Sequence, residues 1–391
     1  MTSHRLDIPF HPPASKDVVL HTRVVSDTGG GPEKTILLSS PFLADSNYAL
    51  AAAYMHPPDD PGFEVIRQRA VNWNSPLISI PDRGATDVRV LRDLLRLCKQ
   101  FNVKIWHAHD YKSNLFGLLL RPFHRMKLVT TVHGWVVQTS KTPLYYKVDK
   151  LCLPRYQHVI CVSDDLLDEV AKLKIRSDRL TYIPNAIDEL SFSRQGPSSA
   201  AAMRRQRAVP NDRVLVGASG RLMPEKSFDL LIRATKTLLN EGHPVELWIA
   251  GEGSARQDLE RLIVELDLAD HVKLLGFWSD TKAFYESLDL FVLSSQREGL
   301  PNVILEAAAM GVPIVSTRVA GVPKMLTDDH DGLLCDIGNQ KGLTDAMRRL
   351  VCDPVKRSQM AIAARKLVEE QYSFRKRMDR IQTIYERLLG R

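Results

Sequence analysis

The stretch "QREGLPNVILEAAAMGVPIVS", Gln296 to Ser316, decides how the chain is read. From Val303 to Val315 every residue is apolar except Glu306, and a second glutamate, Glu298, lies eight positions before it. Leu290–Leu293, just upstream, reads as a buried strand, and "SSQREG" reads as a loop. Pro301 sits where a missing N–H costs nothing, at a helix start. A helix to about Met310, ended by Gly311, follows. Its apolar residues leave no obvious solvent face, so Glu306 needs hydrogen-bond partners. Two readings stay open on spacing alone. Glu306 is a paired core glutamate, or it accepts hydrogen bonds from the hydroxyls of a ligand, with Glu298 at the edge of the same crevice.

Working outward, strand-like runs alternate with helical patterns along the chain. In the first half they fall at Val18–Val25, Leu77–Ile80, Lys104–His107, Lys127–Val132 and His158–Val162. In the second half they fall at Val214–Ala218, Glu246–Ala250, Val272–Leu275, Leu290–Leu293 and Pro313–Ser316. "DVRVLRDLLRLCKQF", Asp87 to Phe101, is one of the amphipathic helices between them. Such alternation specifies parallel sheets with crossover helices. The 391 residues suit two domains of about 150 to 200 residues each. The expected fold is α/β, two tandem Rossmann-like doubly wound domains facing across a cleft. Ligands of such sheets bind beyond the carboxyl ends of the strands. The turn-rich, basic stretch from Asn185 to Pro210 is read as the link, with a short helix at its centre.

Composition narrows the function. Net charge is +7, which favours a phosphate-bearing ligand or an anionic surface. No arginine-rich tail or aromatic RNA-binding signature accompanies it, so no nucleic-acid partner is expected. The five cysteines form no CxxC pair and no zinc spacing, which points to a reduced, cytoplasmic protein. The N-terminus lacks a signal-peptide pattern. "LFGLLL", Leu115 to Leu120, is far too short to span a bilayer. Two basic segments, Arg121–Lys127 and Arg375–Arg380, could touch anionic lipid, so peripheral contact with the inner face of a membrane is considered. Solvated faces are the commoner fate of such runs.

Four further stretches stand at strand ends. In "GASGRLMPEKSFDLLIRA", Gly220 permits a tight turn, and Arg221 and Lys226 flank Pro224 before a helix. Two cations beside a helix start make an anion site, or two solvated loop charges. In "LWIAGEGSARQDLERLI", Gly251 and Gly253 end a strand, but Arg256 stands where G-x-G-x-x-G requires glycine. The dinucleotide fingerprint is therefore absent. In "SDTGGGPEKTIL", Gly29, Gly30 and Gly31 precede a helix beginning at Pro32, and a bare backbone can approach a phosphate or sugar closely. In "TTVHGW", His133 follows a strand directly, and in "HAHDYKSN" two histidines and Asp110 occupy another strand end. The His-x-His pair lacks a clear third and fourth metal ligand.

Together these segments resemble the retaining glycosyltransferases of family four, with the two-domain GT-B fold. The resemblance is strongest from Val159 to Cys335. It rests on "ICVSDDL", "YIPNAID", "GRLMPEKSFDLLIRA", "WIAGEG", "VKLLGF", "DLFVLSSQREGLPNVILEAAAMGVPIVST" and "GLLC", in family order. Glu298 and Glu306 match the family's E-x7-E motif. The first half is less typical, although "GGGPEKT" and "TVHG" occupy the expected places.

The resemblance implies a hexosyl- or other glycosyltransferase of polysaccharide-building type, moving a sugar from a nucleoside diphosphate-sugar to a glycan, lipid-linked or small-molecule acceptor with retention of configuration. It assigns Glu306 to the ribose hydroxyls and Glu298, with Gly299, Leu300, Pro301 and Asn302, to the transferred sugar. Arg221 and Lys226 hold the diphosphate, and His133 contacts the donor sugar. Gly30, Gly31 and Gly251 join the donor site. Many relatives carry Asp after the histidine where this chain has Gly134 and Trp135, so acceptor geometry is assigned more loosely, to Asp110 and Trp135. No Asp-x-Asp motif stands at a strand end, and no cofactor or divalent metal is expected. The implied domains are residues 1–185 with a returning helix over 372–391, and residues 186–371. The competing readings are a nucleotide-sugar epimerase of the same fold and a noncatalytic nucleotide-sugar-binding protein.

Overall fold

The computed structural model describes residues 10–84, 87–135, 142–194, 196, 204–205, 207, 209–278, 280–298 and 301–391. The chain divides into two compact units, Met1–Asn185 with Arg375–Arg391, and Ala186–Phe374.

The first unit is built on a seven-stranded sheet of order β3-β2-β1-β4-β5-β6-β7. Its strands are β1 (Asp17–Val24), β2 (Tyr48–His56), β3 (Leu77–Pro81), β4 (Val103–Ala108), β5 (Lys127–Val132), β6 (His158–Cys161) and β7 (Leu180–Tyr182). All its pairings are parallel. The helices between strands cover both faces, so the central strands read as apolar runs rather than alternating ones. The helix Val88–Gln100 shows why the local pattern works. Asp87 caps it by accepting from the Arg89 N–H, and Val90, Leu94, Leu97 and Cys98 bury one stripe.

The second unit carries a six-stranded parallel sheet of order β10-β9-β8-β11-β12-β13. Its strands are β8 (Val214–Ser219), β9 (Val245–Ala250), β10 (Val272–Gly276), β11 (Leu290–Leu293), β12 (Ile314–Thr317) and β13 (Leu333–Cys335). Every residue of β9 is buried. In both sheets the strand order reverses beside the first strand, between β1 and β4 and between β8 and β11. Those switch points are where a doubly wound sheet opens a crevice for ligand.

Three strands escape the sequence reading. "YALAAAYMH" forms β2, although alanine favours helix in isolation. Here its small side chains are buried in a central strand, and packing overrides propensity. β7 and β13 have three residues each, too short to show a period. The stretch from Asn185 to Pro210 is not a free tether. Ile187 and Val209 are buried in the second unit's core, and Ile187 bridges Ser373. The centre of that stretch, residues 197–203, lies outside the described residues, and of the short helix read there only Arg204 and Arg205 are described, both helical. All five cysteines are free. No described helix is long and apolar enough to cross a membrane.

Candidate active site

At the switch point of the second unit, two loops are stitched together. The loop after β8 carries Gly220, Arg221 and Lys226, and the loop after β11 carries Ser294 to Glu298. Lys226 Nζ pairs with Glu298 Oε1 at 2.5 Å, and Ser295 Oγ donates to the same oxygen at 2.6 Å. Ser294 Oγ donates to the Lys226 carbonyl at 2.9 Å, and the Gln296 N–H donates to the Glu225 carbonyl at 2.8 Å. From β12, Thr317 Oγ1 holds the Ser295 carbonyl at 2.6 Å. The Lys226 and Glu298 side chains are only 17% and 10% exposed, so breaking the pair would strand a poorly solvated charge. Arg221 is exposed and has no ion-pair partner among the described residues.

Glu306 lies on the helix Asn302–Ala309, between buried Leu305 and Ala307. Tyr285 Oη donates to Glu306 Oε2 at 2.8 Å, and Ser219 Oγ lies 3.1 Å from the same hydroxyl. Burial, reinforced by the Glu306 charge, pushes the Tyr285 phenol well above its ordinary range, so it stays a donor. The carboxylate is thus anchored on one oxygen, and Oε1 has no partner among the described residues. Pro301 caps the helix, and Asn302 Oδ1 is buried without a partner. Gly299 and Leu300 lie outside the described residues.

Gly251 owes its identity to a neighbouring loop. Its φ is +145°, and a Cβ there would stand 1.8 Å from the Gly220 carbonyl oxygen. The two strand-end turns interlock through Gly220 N–H to Ala250 O at 3.0 Å and Leu222 N–H to Glu252 O at 2.9 Å.

In the first unit the helix begins at Gly31, one residue before the proline. The Gly30 N–H donates to Glu33 Oε2 at 2.6 Å, and Glu33 Oε1 pairs with Arg23 Nε at 2.5 Å. The Gly30 amide is therefore engaged within the loop. Asp110 caps the helix Tyr111–Leu120, accepting from the Lys112 and Ser113 N–H groups and, at 2.6 Å, from the Val24 N–H. These bonds tie β1 to β4 across the switch point. Trp135 Nε1 donates to Asp149 Oδ2 at 2.9 Å, and Lys150 Nζ lies 4.5 Å from the indole centroid. Burial raises the Asp149 carboxyl above its ordinary range.

His133 sits in a file of histidines. Its Nε2 is 3.0 Å from His109 Nδ1, and His109 Nε2 is 2.9 Å from His21 Nδ1. The His21–His107 and His107–His109 rings stack at 4.6 Å. His21 is the third histidine that sequence reading did not supply. Its signal is a polar residue inside an apolar strand, "DVVLHTRV". His21, His107 and His109 are the described set whose ligand atoms come within 4.8 Å of one another. Tetrahedral ligands about 2.0–2.1 Å from zinc would stand roughly 3.3 Å apart. The 2.9 Å separation of His21 and His109 is instead that of a hydrogen bond, so the trio does not fit that ion.

The basic segment Arg375–Arg380 is partly inward-facing. Arg377 is buried and donates to the Ile183 and Pro184 carbonyls, while Arg375 and Arg380 bind the Phe42 and Tyr182 carbonyls. In Arg121–Lys127 the charges are exposed, with Phe123 66% exposed among them.

Comparison with known proteins decides the family. Residues 29–189 match the model for Glycosyltransferase Family 4, and residues 199–367 match that for Glycosyl transferases group 1. The alpha-D-kanosaminyltransferase of Streptomyces kanamyceticus is 30% identical over 319 residues, covering 76% of this chain and 81% of that protein. This chain belongs to the family 4 glycosyltransferases. The lipopolysaccharide core biosynthesis glycosyltransferase LpsD of Rhizobium meliloti is 31% identical over 231 residues. That match spans 59% of this chain and 64% of LpsD, just under two thirds of its length. Anabaena HepE, crystallised with UDP, superposes with a TM-score of 0.78 at 20% identity, over 96% of this chain and all of HepE. The two Rossmann-like domains of this glycosyltransferase are thus those of the GT-B fold.

Proposed function

We propose that this family 4 enzyme moves a sugar from a nucleoside diphosphate-sugar to a glycan, lipid-linked or small-molecule acceptor, retaining the anomeric configuration and using no divalent metal. The observation that carries the reading is the shielded Lys226–Glu298 pair at the carboxyl ends of β8 and β11, with Glu306 on the helix that follows. As the donor's glycosidic bond breaks, negative charge gathers on the departing diphosphate. Lys226 and the exposed Arg221 stabilise that charge more than they stabilise the intact donor, which is what lowers a barrier. Glu306, anchored on one oxygen by Tyr285, offers the other to the ribose hydroxyls. Glu298, Pro301 and Asn302 lie by the transferred sugar, and Gly251 keeps the two strand-end turns in register. In the first unit, Gly30 and Gly31 approach the donor, His133 takes a donor-sugar hydroxyl, and Trp135 with the Asp110 loop faces the acceptor. The names of LpsD and the kanosaminyltransferase support the transfer of a sugar, and the UDP bound to HepE supports a nucleotide-sugar donor.

The test is a panel of uridine, guanosine and adenosine diphosphate-sugars incubated with the purified chain and candidate acceptors. Released nucleoside diphosphate is measured in the presence of chelator, and proton NMR reads the anomeric configuration of the product. Nucleotide release with a retained anomer is expected. An inverted product would remove the retention, and binding without release from any donor would favour a noncatalytic role.

A further inference from the structure

His133 is the end of a longer line. From it the hydrogen bonds run His133 Nε2 to His109 Nδ1 at 3.0 Å, His109 Nε2 to His21 Nδ1 at 2.9 Å, and His21 Nε2 to Tyr385 Oη at 3.4 Å. They continue from Tyr385 Oη to His107 Nδ1 at 2.6 Å and from His107 Nε2 to Thr131 Oγ1 at 2.8 Å. All six residues belong to the first unit, Tyr385 arriving on the C-terminal helix Phe374–Leu389. His21, His107, His109, Thr131 and Tyr385 are buried. Each inner histidine spends both ring nitrogens within the line. His133 spends only Nε2, and no described residue takes its Nδ1.

A neutral imidazole has one N–H and one bare nitrogen. In a line where every inner ring uses both, a reversal between two rings would set two N–H groups or two lone pairs against each other. A reversal at Tyr385, with its oxygen accepting from both His21 and His107, would leave its own buried O–H without an acceptor in the line. Two arrangements keep every group in the line paired. Either every histidine carries its proton on Nε2 and the line donates toward Thr131, or every one carries it on Nδ1 and the line donates toward His133. The Nε2–H form is the lower-energy tautomer of the free side chain, and the Thr131 hydroxyl can accept at the far end.

We infer that His21, His107, His109, Tyr385 and Thr131 form a single polarised hydrogen-bond line that holds His133 in its Nε2–H tautomer, leaving Nδ1 as a fixed acceptor for a ligand hydroxyl. The five are positioning residues, acting through His133. The line carries orientation and not charge. A second proton on any inner ring would break a link, and burial holds all four histidines far below their usual range, His21 to about 3. The cations facing the line work the same way. Arg377 opposes protonation of His21, His107 and His133, and Arg23 opposes protonation of His109 and His133. Part of the inference, the consequence for transfer, rests on the proposed function of His133.

The experiment is a two-bond proton–nitrogen correlation spectrum of the full-length chain, labelled with 15N-histidine, at pH 7.5. The chain has 12 histidines, so His133 is assigned by its loss in His133→Asn, and the others by Gln variants. In the unsubstituted protein all four should show a protonated Nε2 and a bare Nδ1. One of the four in the opposite form, or a shift of their signals on adding chelator, overturns the inference. Tyr385→Phe keeps the ring and deletes the central link, three bonds of the line away from His133. His133 should then become a mixture of tautomers, with the melting midpoint still marking a folded chain. Thr131→Val cuts the far end and serves if Tyr385→Phe does not fold. Unmoved His133 signals in a folded, cut line overturn the inference, because a merely structural tyrosine would have that result. The cut should also lower kcat by about tenfold with nucleotide Kd unchanged. If the tautomer moves and kcat does not, the line stands and the part of His133 in transfer falls.

Discussion

Tyr285 Oη donates to Glu306 Oε2 at 2.8 Å, so the one carboxylate in an apolar helix is pinned on one oxygen, while the other has no partner among the described residues. A ligand-binding glutamate needs such an unpartnered oxygen, and a core glutamate does not. Glu306→Gln keeps the shape and removes the charge. It should weaken nucleoside diphosphate binding by about 1.5–3 kcal/mol, the usual worth of a hydrogen bond to a charged group. Tyr285→Phe should cost less, since it only loosens the anchor. Calorimetric titration gives both affinities. If Glu306→Gln binds normally while the fold loosens, the glutamate serves the core.

Two glycines test steric against purely conformational demands. Gly251 has φ +145° and would drive a Cβ to 1.8 Å from the Gly220 oxygen, whereas Gly311 has φ +60° and open space around its Cβ position. Gly311→Ala should cost on the order of 1–2 kcal/mol, the left-handed backbone alone. Gly251→Ala should cost well over 3 kcal/mol, because two loops must part. Urea midpoints of the two variants, measured side by side, would show it. Equal costs would mean that the loops yield.

The fold was largely legible because its signals are local. Ten of the thirteen strands among the described residues announce themselves as short apolar runs between turn residues, and E-x7-E is visible as two carboxylates at fixed spacing. What stayed hidden depends on contacts distant in sequence. Tyr385 meets His107 across 278 positions, and nothing beside either residue signals the other. Tyr285 sits 21 residues before the carboxylate it anchors, in a stretch to which the sequence assigned no role. Gly251 reads as a strand-end turn glycine that the resemblance places in the donor site, yet its identity is dictated by Gly220 in another turn. Asp110 reads as a site acid, while the structure gives it a cap and a cross-strand tie. Side-chain type and spacing therefore locate the crevice, and the topology decides which groups are already engaged.

The neutral histidines make the first unit acid-sensitive. Their folded pKa values lie below the unfolded value of about 6.5, with His21 near 3 and His158 near 4. The unfolded chain therefore binds protons first. The contribution is whole above about pH 6.5 and is lost as pH falls from there toward 3, at up to about 1.4 kcal/mol per pH unit for each histidine. Asp110 and Asp149, raised by burial, act in the opposite direction. The urea midpoint should fall steeply between pH 6.5 and 5, and His158→Gln should flatten the slope by roughly one proton. A midpoint that stays level over that range would mean that these rings take up protons in the folded state.

The last prediction concerns the cations at the second switch point. Lys226→Ala removes a contact that strengthens as charge builds on the departing diphosphate, so kcat should fall on the order of 10²-fold or more. It also leaves Glu298, whose side chain is 10% exposed, without its ion-pair partner. Part of the loss would then come from a stranded carboxylate rather than from the missing cation. Glu298→Gln in the Lys226→Ala background separates the two, since it removes the stranded charge. If restoring neutrality recovers most of the donor affinity but not kcat, the cation acts on the transition state. Arg221→Ala, with no ion pair to break among the described residues, should lower kcat without that complication. The Arg221→Ala, Lys226→Ala double variant should lose less than the product of the singles, because both cations grip one group. Chelator should leave the unsubstituted enzyme untouched throughout. Activity that collapses in chelator and returns with magnesium or manganese would replace the two side-chain cations with a metal ion as the principal stabiliser of the leaving group.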